Sequence, residues 1–185
     1  MSDWFTTLDG VLDRVWESLA LGVEDADHPA RLPVFATVSP DGWPEARTVA
    51  LRRADRGPAV VEVQTDIDSL KVESLRASPR AALHWWLAED ALQIRLRTGV
   101  VILTGEAVRA EWEAVPPASR YSYGETPPPG RPIQGALAYE KAPDFASFAV
   151  LRCSVLSIDA VHLGESHRRA RFDASDGFAG QWLAP

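Results

Sequence analysis

Lys71 carries its charge where a helix least tolerates it. The stretch Asp66-Ile-Asp-Ser-Leu-Lys71 predicts a short helix over Ser69–Ala77 with Asp68 as its N-cap, ended by Ser78-Pro79. A cation in the first turn opposes the positive end of the helix dipole unless an anion is present. The free amide donors of a first turn suit a phosphate. Upstream, Arg47-Thr-Val-Ala-Leu-Arg52 and Val60-Val-Glu-Val-Gln-Thr65 read as two strands joined by a turn. Cations and small hydroxyl residues therefore gather where a strand hands over to a helix. That chemistry is anion binding. The sequence has no Gly-x-Ser-x-Gly elbow, no Walker loop, no Gly-x-Gly-x-x-Gly after a strand and no His/Cys spacing typical of a metal site. Any reaction here is best carried by a cofactor, and no catalytic side chain is assigned.

Composition narrows the partners. The net charge of −7 argues against nucleic acid. The arginines nevertheless cluster as Arg47/Arg52/Arg53/Arg56, Arg95/Arg97 and Arg168/Arg169/Arg171. Such local concentration in an acidic chain fits a small anion better than a polyanion. No apolar run approaches the roughly 18–20 residues of a membrane helix. The start Met-Ser-Asp-Trp has neither a basic region nor an apolar signal core, so a cytoplasmic protein with no membrane partner is expected. The lone Cys153 excludes an intramolecular disulfide, and its apolar setting predicts a buried bystander.

The elements that must position these residues are mostly strands. Phe5, Leu8, Leu12, Val15 and Leu19 predict an N-terminal helix within residues 1–22, capped by Asp3. From Leu32 the period changes. Strands are expected over 32–39, 45–53, 59–65, 81–87 and 91–104, with a hairpin turn at Pro40–Pro44 and a bulge or close backbone approach at Gly99. On the second strand Arg47, Val49 and Leu51 would share one face. A short helix follows from Arg109. Residues 116–135 hold six of the fourteen prolines and predict a long ordered or semi-ordered loop. Strands over 145–159 and 167–173 follow, with a turn at Ser175-Asp-Gly177. The expected fold is one mainly β domain over 1–185, an antiparallel barrel of six or seven strands with peripheral helices.

Several of these motifs occur together in a telling order. They are Arg47-Thr-Val-Ala-Leu-Arg52, Gln64-Thr65, Ser69-Leu-Lys71, Ser78-Pro-Arg-Ala-Ala82, Trp85-Trp86, Leu92-Gln93-Ile94 and the terminal Trp182-Leu-Ala-Pro185. From about residue 30 onward the chain resembles the pyridoxamine 5′-phosphate oxidase superfamily of FMN-binding split β-barrels. It looks most similar to a shorter branch with a C-terminal His-Arg-Arg signature, here His167-Arg168-Arg169.

The resemblance implies an FMN site at a homodimer interface. Arg47, Thr48, Val49, Ala50 and Arg52 would hold the phosphate and flank the isoalloxazine, with Gln64 and Thr65 contacting the flavin. Ser69 and Lys71 would bind phosphate, Gln93 would reach the flavin from the neighbouring subunit, and Arg171 and Gln134 match further family positions. His167 and Arg169 would be the substrate contacts. The chain also departs from the pattern. The family's Arg-Lys pair at the helix start is Leu70-Lys71, and the oxidases' Arg-x-His substrate pair reads His167 and Arg169, in reverse order. A family tryptophan near the flavin falls at Val161 or His162. FMN binding thus survives the comparison better than the oxidase reaction. The resemblance implies an FMN-dependent oxidoreductase acting on a small molecule. A non-catalytic flavin- or haem-binding barrel and a deazaflavin-dependent reductase are the alternatives.

Overall fold

A computed structural model describes residues 3–185. The first long element is α1 (Leu8–Glu24), and its cap is Thr7, whose hydroxyl accepts from the Gly10 amide at 3.1 Å. The cap expected at Asp3 is displaced because Trp4–Thr6 form a separate 3-10 turn. Val11, Leu12, Val15, Trp16 and Leu19 form the buried stripe of α1. Among the described residues, no helix is long and apolar enough to cross a membrane.

The predicted hairpin forms from β1 (Val34–Val38) and β2 (Pro44–Thr48). The single strand expected over 45–53 is two strands. β2 pairs with β1, whereas β3 (Leu51–Asp55) pairs with β4 (Val60–Asp66). Between them Val49 donates its amide to Pro33 O at 3.0 Å as the chain crosses to the other arm of the barrel. The common face expected for Arg47, Val49 and Leu51 therefore does not exist, since alternation holds only within one continuous strand.

Then come α2 (Leu70–Ala77), β5 (Arg80–Leu87), β6 (Leu92–Thr104), α3 (Arg109–Ala114), the short pair β7 (Glu125–Thr126) and β8 (Glu140–Lys141), β9 (Phe148–His162), β10 (Arg168–Asp173) and β11 (Gln181–Leu183). The N-cap of α2 is Ser69, not Asp68, because Asp68 lies in the turn that Asp66 closes through its carboxylate. The main sheet runs β11-β10-β9-β6-β5-β1-β2, with β4 on β9 and β3 on β4. β9 is the fork: residues 148–154 pair with β4, residues 157–162 pair with β10, and β6 follows its other edge. At the fork Leu156 is the extra residue of a bulge opposite Arg97/Thr98. The bulge expected at Gly99 thus lies just before it, and the inserted residue belongs to the partner strand. Among the described residues eleven strand segments replace the expected six or seven: the run 45–53 is cut in two where the barrel changes arms, and the short pair β7–β8 and the C-terminal β11 are added.

The result is a mostly antiparallel split barrel with flanking helices. The buried stripe of α1 joins one core cluster with Phe35, Leu51, Val63, Leu83, Trp85, Leu96, Leu151 and Ile158. A smaller cluster of Val108, Trp112, Val115 and Tyr123 covers Phe148 and Val150.

Candidate functional site

Arg47 and Lys71 meet at a cavity of about 220 Å³ lined by Glu45, Arg47, Ser69, Leu70, Lys71, Pro129 and Gly130. The β1–β2 register places Arg47 opposite Phe35 and Glu45 opposite Thr37. Arg47 Nη1 accordingly donates to Thr37 Oγ1 at 2.8 Å, Glu45 O at 3.2 Å and Phe35 O at 3.3 Å. Its Nη2 pairs with the Glu45 carboxylate at 2.9 Å. From the start of α2, Lys71 Nζ donates to Thr65 Oγ1 at 2.8 Å. Burial pushes the Lys71 ammonium below the usual lysine value, and the Arg47 charge adds to that fall, while Asp66 works against it. Ser69 lines the same seat, although its hydroxyl donates to Asp66 O at 2.8 Å and leaves α2 without a side-chain cap.

Two cations facing one another, one desolvated and held by a neutral hydroxyl, repel unless an anion joins them. The seat therefore fits the phosphate of FMN. At about 220 Å³ it is smaller than the roughly 300–1,000 Å³ of a cleft that encloses a drug-sized ligand, so it would enclose only part of FMN. Its rim is fixed by the proline-rich loop. The Asp66 carboxylate accepts from Asp68 N at 2.8 Å and Gly124 N at 2.9 Å. Gly130, at φ +86°, lies so near Leu70 that an added Cβ would sit 2.8 Å from its side chain.

A second group of expected residues lies elsewhere, on the outer face of β5, β6, β9 and β10. Arg95, Arg97, Ser157, Asp159, Arg169 and Arg171 line a cavity of about 280 Å³ there. Asp159 accepts from Arg169 Nη2 at 2.8 Å and from Arg95 Nη2 at 3.0 Å. Burial opposes ionisation of Asp159, but these bonds outweigh it and hold the carboxyl below its usual value. Arg171 is paired with Asp173. Gln93 lies along the same face, opposite Trp86 on β5 and Val161 on β9.

The remaining expected residues scatter. Arg52 is the extra residue of a bulge between Leu51 and Arg53, and its charge acts on the buried Tyr123 and on Arg31. Thr48 is exposed at the end of β2, and Val49 and Ala50 form the crossing between β2 and β3. Gln64 points away from Thr65, since neighbours in a strand face opposite sides. Gln134 is exposed in the proline-rich loop and lines neither cavity. His167 is exposed just before β10. Cys153 is buried, and burial pushes its thiol up to about 12.

Sequence reasoning missed Glu45, Thr37, Asp159 and the Pro129-Gly130 rim. The spacing Glu45-x-Arg47 within one strand was the available signal for the first. The others depend on strand register or loop path.

Residues 13–104 match the family model for the pyridoxamine 5′-phosphate oxidase FMN-binding domain. The pyridoxine/pyridoxamine 5′-phosphate oxidase of Thermosynechococcus vestitus is 31% identical over 153 residues, covering 83% of this chain and 64% of its own length. That of Anaeromyxobacter dehalogenans is 29% identical over 162 residues, covering 86% of this chain and 73% of its own. Thus the chain spans less than two thirds of the first relative, and about half of others such as the Mycolicibacterium paratuberculosis oxidase, at 51%. In structure, a pyridoxamine 5′-phosphate oxidase-related, FMN-binding protein from Nostoc punctiforme superposes with a TM-score of 0.78 at 23% identity, covering 100% of this chain and 99% of that one. PhzG from Burkholderia lata, solved with tetrahydrophenazine-1-carboxylic acid, gives 0.74 at 16% identity, covering 100% and 98%. These likenesses speak for the fold.

Proposed function

This chain belongs to the pyridoxamine 5′-phosphate oxidase-related, FMN-binding family, and from that premise we propose that it is an FMN-dependent oxidoreductase whose cofactor lies across a homodimer interface. The observation that carries this reading is the Arg47–Lys71 seat, where a desolvated ammonium and a guanidinium converge and Glu45 is the one carboxylate among the lining residues.

Arg47, Ser69 and Lys71 would hold the FMN phosphate, with Thr65 fixing the Lys71 ammonium. Bound FMN supplies hydride acceptance or donation. The chain's own residues bind and orient it. Gln93, Arg169 and Arg171 line a different face from the phosphate seat, which supports a site completed by a second copy. That outer face also carries Val34 and Trp86, 36% and 48% exposed, as apolar surface for the partner to cover. His167 and Arg169 are the proposed substrate contacts. Arg169 is already engaged by Asp159, which leaves His167 the freer of the two. The curated relatives' names point to a phosphate ester, so a small organic anion is the proposed substrate class.

A visible spectrum of the purified protein, followed by titration with FMN, tests the reading. Wild-type protein should take up FMN and show a flavin spectrum that a reductant bleaches. Arg47→Ala should weaken uptake about ten- to a hundredfold, the effect of losing one charge-assisted hydrogen bond. Failure of the wild-type protein to bind FMN at all would sink the proposal.

A further inference from the structure

Glu45 has the wrong sign for the seat it lines. A carboxylate beside a phosphate dianion is repulsive, yet Glu45 and Arg47 are two apart on β2, share its face and are paired at 2.9 Å. The pair is not needed to aim the arginine. Nη1 is already held by the Thr37 hydroxyl and two backbone carbonyls, all neutral acceptors, and Thr37 is itself buried. The carboxylate takes only Nη2. Among the described residues β2 ends the path of the main sheet with β1 as its sole partner, and the Glu45 side chain is 35% exposed. Turning out to solvent therefore breaks no other contact that the carboxylate makes.

We propose that Glu45 is a built-in counter-ion: it occupies the phosphate seat of the unliganded protein and is displaced from Arg47 when the cofactor phosphate enters. It relieves the Arg47–Lys71 repulsion in the empty protein and thereby lowers cofactor affinity. The identity of the ligand rests on the FMN reading above, while the competition itself concerns any phosphate.

The test compares wild type with Glu45→Gln, which keeps size and removes charge, using FMN, riboflavin and inorganic phosphate. Glu45→Gln should bind FMN about three- to tenfold more tightly, the range of a partly screened charge pair. Riboflavin, which lacks the phosphate, should bind both proteins equally. The unliganded variant should melt below wild type, and inorganic phosphate should raise its melting temperature by more than it raises that of wild type. Weaker FMN binding by the variant, or an equal change for FMN and riboflavin, would make Glu45 a positioning residue and overturn the proposal. If neither protein binds FMN but phosphate still stabilises the variant more, the cofactor assignment falls and the counter-ion role stands. If phosphate also fails to discriminate, the counter-ion role falls with it.

Discussion

At the scale of single residues, the proposed phosphate role of Lys71 sets binding against stability. Its folded-state value lies below the ordinary 10.5, chiefly through burial and then through Arg47. Between the two values the unfolded chain holds more protons, so this group's contribution to stability rises with pH across that window. Below the folded value its cost is fully present. Lys71→Met should therefore raise the melting temperature of the unliganded protein at neutral pH by about 2–4 °C. The same variant should weaken FMN binding about tenfold or more. Melting curves with and without FMN read both effects together. A variant that melts lower than wild type without FMN would show that Lys71 is held by contacts that favour its charge.

At the scale of elements, the seat depends on how the end of β4, the start of α2 and the proline-rich loop are tied. Asp66 makes that tie, with one carboxylate oxygen on Asp68 N and the other on Gly124 N. Gly124 has φ +100°, and a Cβ there would meet Ala142 O, so the loop passes where only glycine fits. Asp66→Ala should cost about 2–4 kcal/mol in urea unfolding, since two hydrogen bonds to a buried charged acceptor are lost. Limited proteolysis should then cut first within residues 127–138. Unchanged stability would mean that the loop holds itself in place. Helix α2 was legible from its apolar spacing and its Ser-Pro stop. Its cap was not, because Asp68 and Ser69 are equally good caps by type, and the Asp66 turn decides between them.

At the scale of the whole molecule, the expected residues that line a cavity fall into two groups on separate surfaces, Arg47, Ser69 and Lys71 at one and Arg169 and Arg171 at the other. A site shared between two copies predicts complementation. Arg47→Ala and Arg171→Ala should each bind FMN poorly alone, but subunits mixed through reversible unfolding should regain roughly one quarter of the wild-type sites, because half the dimers are mixed and each has one intact site. No recovery in a mixture shown to contain mixed dimers would place each site within one subunit. The long runs of strand and the barrel class were legible because alternation of apolar and polar residues is local. The fork at β9 was not, because which strand lies beside residues 148–154 and which beside 157–162 depends on partners far apart in the chain.

By itself the sequence determined which cations could meet an anion, because a cation in a helix's first turn and an Arg-rich strand are local facts. It also determined the family, through motifs kept in order along the chain. Only the tertiary structure decided that Arg47 shares its seat with Glu45, that Arg52 leaves it on a bulge, and that Gln93 and Arg171 lie on another face. Those outcomes follow from strand register, where a shift of one residue sends a side chain to the opposite surface.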